Sequence, residues 1–182
     1  MRVFLDPGHG GHDPGAFYGG VREADVNLDI AIWARQGLIE AGCEDCDVIF
    51  SRENDVFVPL AERVRLAAEF KADVFLSIHC DASENLEASG QSVFIWTETK
   101  IAEPLGRALE KALAAHFPDR KQRGLHRANF YVIRKAPCPA ALVECGFVSN
   151  NLERAWLLEV ENQKEIAGAL CDGLLAWYEE VK

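Results

Sequence analysis

Short apolar runs alternate along the chain with longer segments in which apolar residues recur every three or four positions. The short runs predict β-strands at residues 3–5, 48–50, 74–78, 92–96, 130–133 and 140–143. The longer segments predict helices at residues 25–41 and 59–70, a third helix that ends before Pro118, and a long C-terminal helix with Ile166 and Leu174 on its inner stripe. Strands that alternate with helices are typical of an α/β domain.

These elements predict a single α/β domain that occupies residues 1–182. We expect a mainly parallel or mixed central sheet of about six strands, with helices on both faces. The run at residues 140–143 is apolar throughout, which is typical of a central strand that is buried on both sides. A chain of 182 residues is long enough to bury a full hydrophobic core. The sequence contains no internal repeat, linker or low-complexity stretch.

Three side chains with metal-binding or catalytic chemistry directly follow predicted strands. His9, in the segment LDPGHGG, follows the first strand, and His79 and Glu144 each follow a later one. In open α/β sheets, ligands bind beyond the carboxyl ends of the strands. We therefore expect these three side chains to meet at one edge of the sheet. A single histidine after a strand is usually incidental, but three such groups in one chain favour a functional site.

Composition and charge exclude several classes of protein. The chain is 49% hydrophobic and 26% charged, which is ordinary for a globular domain. The formal net charge of -10 argues against non-specific nucleic-acid binding, which needs a basic face. No segment is long and apolar enough for membrane insertion. The N-terminus enters a strand without the basic and apolar regions of a signal peptide, so we expect either action without classical export or a trimmed, mature form.

The six cysteines are interpreted as free thiols without a catalytic role. Cys43 and Cys46 form a CEDC pair, but a zinc ribbon needs two such pairs and a redox CxxC motif usually opens a helix. The CEDC pair instead precedes a predicted strand, and its role stays open. The remaining cysteines are scattered along the chain: Cys80, Cys138, Cys145 and Cys171.

Four motifs occur in order along the chain: FLDPGHGGHDPGA at 4–16, READVNLDIA at 22–31, SIHCDAS at 77–83 and ANFYVIRKAPCPAALVECGFVSN at 128–150. Together they resemble the zinc-dependent N-acetylmuramoyl-L-alanine amidases of the Amidase_3 family, which are peptidoglycan hydrolases of bacteria and their phages. The resemblance extends over essentially the whole chain. A lone GHGG is a weak signal, so the order of the four motifs, each beside a predicted strand or helix, carries the resemblance.

The resemblance implies one zinc ion per chain and assigns a role to each of four residues. His9, Glu23 and His79 match the metal ligands of the family, and Glu144 matches its catalytic glutamate. Two imidazoles and one carboxylate form the donor set of a catalytic zinc site, which leaves one position open for water. A carboxylate outside that set is able to take a proton from the water. The implied reaction is hydrolysis of the amide bond between N-acetylmuramic acid and L-alanine of the stem peptide.

Several polar residues near these motifs compete for the same roles. His12 is a rival ligand, but it follows the glycines, where the family pattern is variable. Asp25 is another, and it suits the positive end of a helix dipole better. Asp13 is expected to accept hydrogen bonds from loop amides. His116 is interpreted as an ordinary helix residue.

Substrate contacts are less well defined than the ligands. His126 is either a plain loop histidine or a contact to the substrate, and Asn129 and Arg134 are further candidates. Arg134 is equally suited to support the loop before a proline. Arg52 and Arg63 also match basic positions of the family pattern, and a paired structural role is favoured for Arg63.

The chain departs from many relatives at Asp81, where they have asparagine. The extra carboxylate is expected to support the metal site, either as a partner of a ligand or by tightening metal binding. Some relatives insert a helix that blocks the site after the SIH motif. The corresponding segment here, residues 80–91, is too short for such a helix with its connections. We therefore expect an open site that needs no activator protein.

Two alternative functions remain at this point. The first is a zinc peptidase of similar architecture, which cuts stem peptides with the same active residues. The second is a non-catalytic cell-wall-binding module, which has lost some of these residues. All four active positions hold competent residues, which argues against the second alternative. The expected partner is peptidoglycan. The protein is expected to act on the cell wall, either as the catalytic domain of an autolysin or as a phage-type endolysin.

Overall fold

The computed structural model describes residues 1–41 and 47–182, so the Cys43–Cys46 pair lies outside the described residues. The strands are β1 (Arg2–Pro7), β2 (Phe17–Tyr18), β3 (Val21–Arg22), β4 (Asp47–Phe50), β5 (Val74–Asp81), β6 (Gln91–Trp96), β7 (Gln122–Ala128) and β8 (Ala140–Phe147). The helices are α1 (Glu23–Glu40), α2 (Leu60–Phe70), α3 (Glu103–His116), α4 (Tyr131–Lys135), α5 (Asn151–Leu158) and α6 (Val160–Val181).

Six strands form one mixed sheet in the order β4-β1-β5-β8-β6-β7. β4, β1, β5 and β8 are mutually parallel, whereas β6 runs antiparallel to β8 and β7 runs parallel to β6. β2 and β3 form a separate two-stranded hairpin that leads into α1. The predicted fold class is confirmed, and the apolar β8 is a central strand, as its composition indicated.

Side chains alternate between the two faces of the sheet, so each strand contributes to two hydrophobic layers. On the first face, residues such as Leu76 and Val143 pack with α1, α3 and α6 in the larger core. On the second face, Phe4, Phe75 and Leu142 pack with α2 and α4 in a smaller core. Helices therefore cover both faces. Among the described helices, α2 and α4 pack on the second face, and the side chains of His79 on β5 and Glu144 on β8 point to this same face.

One local prediction was wrong, and one strand was missed. Residues 130–133 were predicted as a strand, but they include the start of α4, whose Val132 and Ile133 are buried against the second face. A short apolar run fits either element, and tertiary packing decides between them. The strand of this region is instead β7, an edge strand whose polar sequence gives no strand signal.

The helix α5 was missed, although Asn150 marks its start. The Asn150 side chain accepts hydrogen bonds from the backbone amides of Leu152 and Glu153, which is an ordinary N-cap. Strands β5 and β8 also extend beyond the apolar runs that predicted them. His79 and Glu144 therefore lie within strands rather than after them, and their directions are set by the alternation of the sheet.

Among the helices that the structure describes, none combines the length and the apolar character needed to cross a membrane.

Candidate metal centre and active site

Two histidines and one glutamate converge at the carboxyl ends of β1 and β5. The ligand atoms of His9, Glu23 and His79 all lie within 4.8 Å of one another. Nε2 of His9 lies 3.2 Å from Oε2 of Glu23, and Nδ1 of His79 lies 2.8 Å from its Oε1. The two imidazole rings meet edge to face, with centroids 5.0 Å apart. Each imidazole thus directs a nitrogen toward the same carboxylate.

Glu23 is fixed from several sides. It is the first residue of α1 and only 5% exposed. Its Oε1 accepts hydrogen bonds from the Asn27 side chain (3.1 Å) and the backbone amide of Cys80 (3.2 Å), and its Oε2 accepts one from the amide of Ala16 (2.9 Å). Burial raises the pKa of the Glu23 carboxyl, but hydrogen bonds with His79 and His9 outweigh it and bring the pKa well below its ordinary value. Glu23 is therefore a carboxylate at neutral pH.

The backbone at His9 adopts an unusual conformation. Its φ of 62° lies in the left-handed region, which residues other than glycine rarely occupy. Nδ1 of His9 lies 2.9 Å from Oδ2 of Asp13, whose other oxygen accepts the amide of Gly15. Burial lowers the pKa of His9, but hydrogen bonds to Glu23 and Asp13 raise it above its usual value overall. The predicted role of Asp13 as an acceptor of loop amides is confirmed, and its contact with His9 is an additional one.

Two buried arginines hold the loop that carries His9. Arg63 forms a buried ion pair with Asp6 at 2.7 Å and donates to the carbonyls of Pro7 and His9, both at 2.8 Å. Arg52 donates to the carbonyls of Pro7 (3.0 Å) and Gly8 (2.8 Å). Three successive carbonyls of the loop therefore accept guanidinium hydrogen bonds. The paired structural role predicted for Arg63 is confirmed.

Gly8 lets the backbone approach the second histidine closely. A Cβ atom at Gly8 would lie 2.1 Å from Cε1 of His79, a separation that side chains do not tolerate. Glycine is therefore required before His9 because any side chain there would collide with the ring of His79.

Glu144 lies beside this cluster on the neighbouring strand. Its backbone pairs in parallel register with His79, so both side chains point to the second face of the sheet. Its Oε2 is buried and has no hydrogen-bond partner in the part of the chain that the structure describes. Burial, and then the negative charges of Glu23 and Asp81, raise the pKa of the Glu144 carboxyl well above its ordinary value. Burial and these charges thus favour the protonated form of the carboxyl.

The neighbouring cysteines point away from this cluster. Cys145 follows Glu144 on β8, is 0% exposed and belongs to the core of the first face. Cys80 follows His79 on β5 and lies in the same core. The thiols of Cys80, Cys138, Cys145 and Cys171 are all free. Because the side chain of Cys145 is on the opposite face of the sheet from Glu144, it is not placed to act as a nucleophile there.

The rival candidates lie outside the cluster. His12 is exposed, and its ring lies against that of Phe57 with centroids 4.1 Å apart. Asp25 is exposed at the start of α1 and contacts Arg22. His116 lies on the first-face side of the molecule between α3 and α6.

Asp81 ends β5, on the same face as His79 and Glu144. Its Oδ1 accepts the amide of Ala82 at 2.7 Å. Burial is the largest cause that raises the pKa of the Asp81 carboxyl. The residue thus brings a second carboxylate close to Glu144, as its place in the sequence indicated.

The candidate substrate residues occupy a different part of the second face. His126 on β7 and Asn129 after it are exposed. Arg134 on α4 lies over the ring of Tyr131 and lines a cavity with Pro139 at the start of β8, away from the histidine–glutamate cluster. Their roles in substrate binding stay predictions.

A cavity of about 350 Å³ opens beside the cluster. His9 and His79 line one side of it, and apolar side chains of Phe57, Val58 and Val132 line the others. A larger cavity of about 720 Å³ lies between α3 and α6, and its lining lacks the histidine–glutamate cluster. The smaller cavity is therefore the one relevant to the chemistry.

The segment between β5 and β6 carries no helix. Residues 82–90 form a short loop, and three contacts fix it to the end of β8 and to α5. The amide of Ser83 donates to Oγ of Ser149, and the Asn150 side chain donates to the carbonyl of Ala88. The amide of Gly90 donates to Glu153. The loop holds no helix, as its length predicted.

Sequence reasoning missed one close neighbour of the cluster and one surface near it. Asn27 lies one helical turn after Glu23 on α1 and donates a hydrogen bond to its carboxylate. Their spacing of four residues was the signal in the sequence that could have indicated this contact. Phe94 and Phe130 form ring contacts beside His126, and no local pattern joins residues so far apart in sequence.

Comparisons with known proteins agree with this geometry. The profile of the Amidase_3 family, described as N-acetylmuramoyl-L-alanine amidase, matches residues 3–176. The chain is 36% identical over 178 residues to the N-acetylmuramoyl-L-alanine amidase LytC of Bacillus subtilis strain 168, a match that covers 97% of this chain and 35% of LytC. The chain thus spans about a third of the length of that relative.

Solved structures show the same fold over nearly their whole length. The catalytic domain of CwlV, an N-acetylmuramoyl-L-alanine amidase from Bacillus (Paenibacillus) polymyxa var. colistinus, is 31% identical with a TM-score of 0.91, and the match covers 100% of this chain and 99% of that one. An N-acetylmuramoyl-L-alanine amidase from Clostridium difficile 630 is 30% identical with a TM-score of 0.94, covering 100% and 98%. The chain therefore belongs to the Amidase_3 family of N-acetylmuramoyl-L-alanine amidases.

Proposed function

We propose that this domain hydrolyses the amide bond between N-acetylmuramic acid and L-alanine of peptidoglycan, with one zinc ion held by His9, Glu23 and His79. The observation that carries the proposal is the convergence of these three ligand atoms within 4.8 Å, with Glu144 on the adjacent strand in register with His79. Membership of the amidase family and the named activities of its relatives support the choice of bond.

The donor set fits a catalytic zinc ion. Two imidazole nitrogens and one carboxylate are typical ligands of zinc in hydrolases, where a fourth position stays open. Structural zinc sites usually use four protein ligands, mostly thiolates, and the cysteines near this cluster point to the other face of the sheet. Glu23 is ionised, buried and oriented by three hydrogen bonds from Asn27, Cys80 and Ala16, so it is ready to bind a cation.

The other residues of the site have separate roles in the proposed reaction. A zinc ion in this position supplies a Lewis acid that polarises the scissile carbonyl and lowers the pKa of water. Glu144 accepts a proton from the attacking water and then donates it to the departing amine of L-alanine. The arginines Arg52 and Arg63 keep the His9 loop in its conformation. His126, Asn129 and Arg134 are proposed substrate contacts.

Digestion of purified peptidoglycan tests the proposal. The protein is incubated with peptidoglycan, with and without a zinc chelator, and the products are analysed by mass. Release of intact stem peptides that begin with L-alanine, blocked by the chelator and restored by zinc, is the expected result. Cleavage within the stem peptide would overturn the proposal in favour of a zinc peptidase. Binding to peptidoglycan without any product would favour a wall-binding module.

We also propose that the domain acts on the cell wall without an activator protein. The support is the short loop at residues 82–90, which holds no helix and is fixed by Ser149, Asn150 and Glu153. Both an autolysin catalytic domain and a phage-type endolysin fit this proposal. Purified zinc-loaded protein is expected to degrade peptidoglycan alone. Folded, zinc-loaded protein that stays inactive until a second protein is added would contradict it.

A further inference from the structure

Three aromatic rings form a continuous strip on the second face of the sheet, beyond the active site. We call Phe94, His126 and Phe130 the aromatic strip. The ring of Phe94 lies 5.3 Å from that of His126 and 5.4 Å from that of Phe130, measured between centroids. His126 is exposed, Phe130 is 41% exposed and Phe94 is half-buried beneath them. Neighbouring aromatic rings that are partly exposed form a candidate surface for a ligand with apolar faces.

The strip lies diagonally across the sheet from Glu144, whose direct partner on β6 is Ser92. Phe94 pairs with Leu142, two residues before Glu144 on β8, and His126 pairs with Phe94 from the next strand. With a rise of about 3.3 Å per residue and about 4.8 Å between strands, the Cα atoms of Phe94 and His126 lie about 8 Å and about 12 Å from that of Glu144. A ligand bound at Glu144 reaches the strip if it extends by one or two ring-sized units toward β7.

The chemistry of the strip favours an uncharged ligand with flat apolar faces. Arg127, which follows His126 on β7, is engaged, because it donates to the carbonyls of Thr97 and Thr99 and pairs with Glu103. A stem peptide carries carboxylates, which cationic partners recognise best. The C–H faces of a pyranose ring carry no charge, and they suit the electron-rich faces of aromatic rings.

We propose that the aromatic strip binds N-acetylhexosamine rings of the glycan strand. The glycan then crosses β6 and β7 while the scissile amide lies at Glu144. This assignment rests on the proposed function and adds to it the direction in which the glycan leaves the active site. It also gives His126, a substrate candidate from the sequence, a defined partner in Phe94 and a defined class of ligand.

Binding of a sugar without any peptide tests the strip independently of hydrolysis. N-acetylchitotetraose, an uncharged oligomer of N-acetylglucosamine, is titrated into the zinc-loaded protein and followed by nuclear magnetic resonance. His126→Leu and Phe130→Leu keep an apolar side chain but remove the ring. Each is expected to raise the dissociation constant about threefold to tenfold, the size of one aromatic contact. Phe130→Tyr keeps the ring and is expected to bind like the unaltered protein.

A matched control uses an exposed apolar residue far from the strip. Leu152 on α5 is 82% exposed, and Leu152→Ala is expected to leave sugar binding unchanged. Thermal unfolding and zinc content of each variant show that the fold and the metal site are retained. Unchanged dissociation constants in both leucine variants, or no binding of the sugar by the unaltered protein, would overturn the proposal.

Hydrolysis is measured separately so that the two proposals fail independently. With peptidoglycan as substrate, His126→Leu and Phe130→Leu are expected to raise KM while kcat changes little, because the strip binds the glycan away from the reacting atoms. Sugar binding that depends on the strip, together with products cut at another bond, would overturn the proposed function and leave the sugar site in place. The correct products without strip-dependent binding would overturn only the strip.

Discussion

Oδ2 of Asp13 lies 2.9 Å from Nδ1 of His9, on the far side of the imidazole from Glu23. With Nδ1 engaged in this way, the ring presents Nε2 to the metal position. A carboxylate behind a ligating histidine fixes both the tautomer and the orientation of the ring.

Replacing Asp13 is expected to weaken zinc binding without abolishing it. Asp13→Ala removes the partner of Nδ1 and leaves all three ligands in place, so zinc affinity is expected to fall about tenfold to a hundredfold. Competition with a chromogenic chelator measures the affinity. Asp25→Ala is the control, because Asp25 is an exposed acid outside the cluster. Equal affinity of Asp13→Ala and unaltered protein would show that the contact does not orient the ligand.

Replacing a ligand is expected to remove metal and activity together. His79→Ala deletes one of the two imidazoles that face Glu23, so bound zinc per chain and peptidoglycan hydrolysis are both expected to be lost. His12→Ala is the matched control, because this imidazole is three residues from His9 yet exposed against Phe57. Atomic absorption measures the zinc. Full zinc occupancy in His79→Ala would exclude His79 as a ligand.

Glu144→Gln is expected to separate metal binding from catalysis. The amide preserves the shape of the side chain but is no base, so zinc content is expected to be normal while kcat falls by about two to four orders of magnitude. The assay combines metal analysis with the release of stem peptides. Near-normal turnover would show that another group takes the proton, and Asp81, on the same face at the end of β5, is the next candidate.

The buried pair Arg63–Asp6 is expected to contribute strongly to stability. Both side chains are at most 2% exposed, and Arg63 also serves two loop carbonyls. Arg63→Ala leaves a buried carboxylate without its partner, so the free energy of unfolding is expected to fall by about 3–5 kcal/mol. Urea unfolding measures the change. Arg65→Ala on the same helix is the control, since its ion pairs with Glu62 and Glu69 are exposed to solvent and are expected to contribute little to stability.

His116 is expected to make stability depend on pH. Its Nδ1 lies 2.7 Å from Oε1 of Glu165, and its Nε2 lies 2.8 Å from Oδ2 of Asp172. These two contacts join α3 to α6. Burial lowers the pKa of His116, but the hydrogen bonds to Asp172 and Glu165 raise it above its ordinary value overall. A group with a raised folded-state pKa stabilises the fold fully below its unfolded-state pKa and loses this contribution as the pH rises through the folded-state pKa.

Unfolding measurements on His116→Gln test this dependence. The difference in unfolding free energy between the unaltered protein and the variant is expected to be larger at pH 5.5 than at pH 8.5. Comparison of the two proteins at each pH removes effects that both share, including loss of metal in acid. A difference that stays constant over this range would show that the imidazole does not gain a proton between the two helices.

Local patterns were sufficient for most of the architecture. The alternation of short apolar runs with amphipathic segments predicted the α/β class, and the apolar run in β8 predicted its central place. These signals depend on which residues of a segment face the core, and the spacing of apolar residues within that segment records this. The pattern was insufficient at residues 130–133, because four apolar residues satisfy a strand and a short helix equally well.

The proposed metal ligands were predicted from motifs, but their arrangement was not. His9, Glu23 and His79 stand far apart in the chain, and only the parallel pairing of β1 with β5 and the entry into α1 bring their side chains together. The register that places Glu144 opposite His79 is likewise a property of the assembled sheet. A slip of one residue would turn Glu144 to the other face, and nothing local in β8 prevents it.

The sequence by itself therefore determined the class of the fold, the chemical types of the candidate site residues and the short, helix-free loop between β5 and β6. The tertiary structure decided which partners those residues have. The tertiary structure places Asp13 behind His9 and Asn27 behind Glu23. It also brings the arginines to the loop carbonyls and joins the rings of the aromatic strip. The reason is physical: periodicity records whether a residue faces the core, whereas hydrogen-bond partners and ring contacts depend on strand register and packing between segments that are distant in the chain.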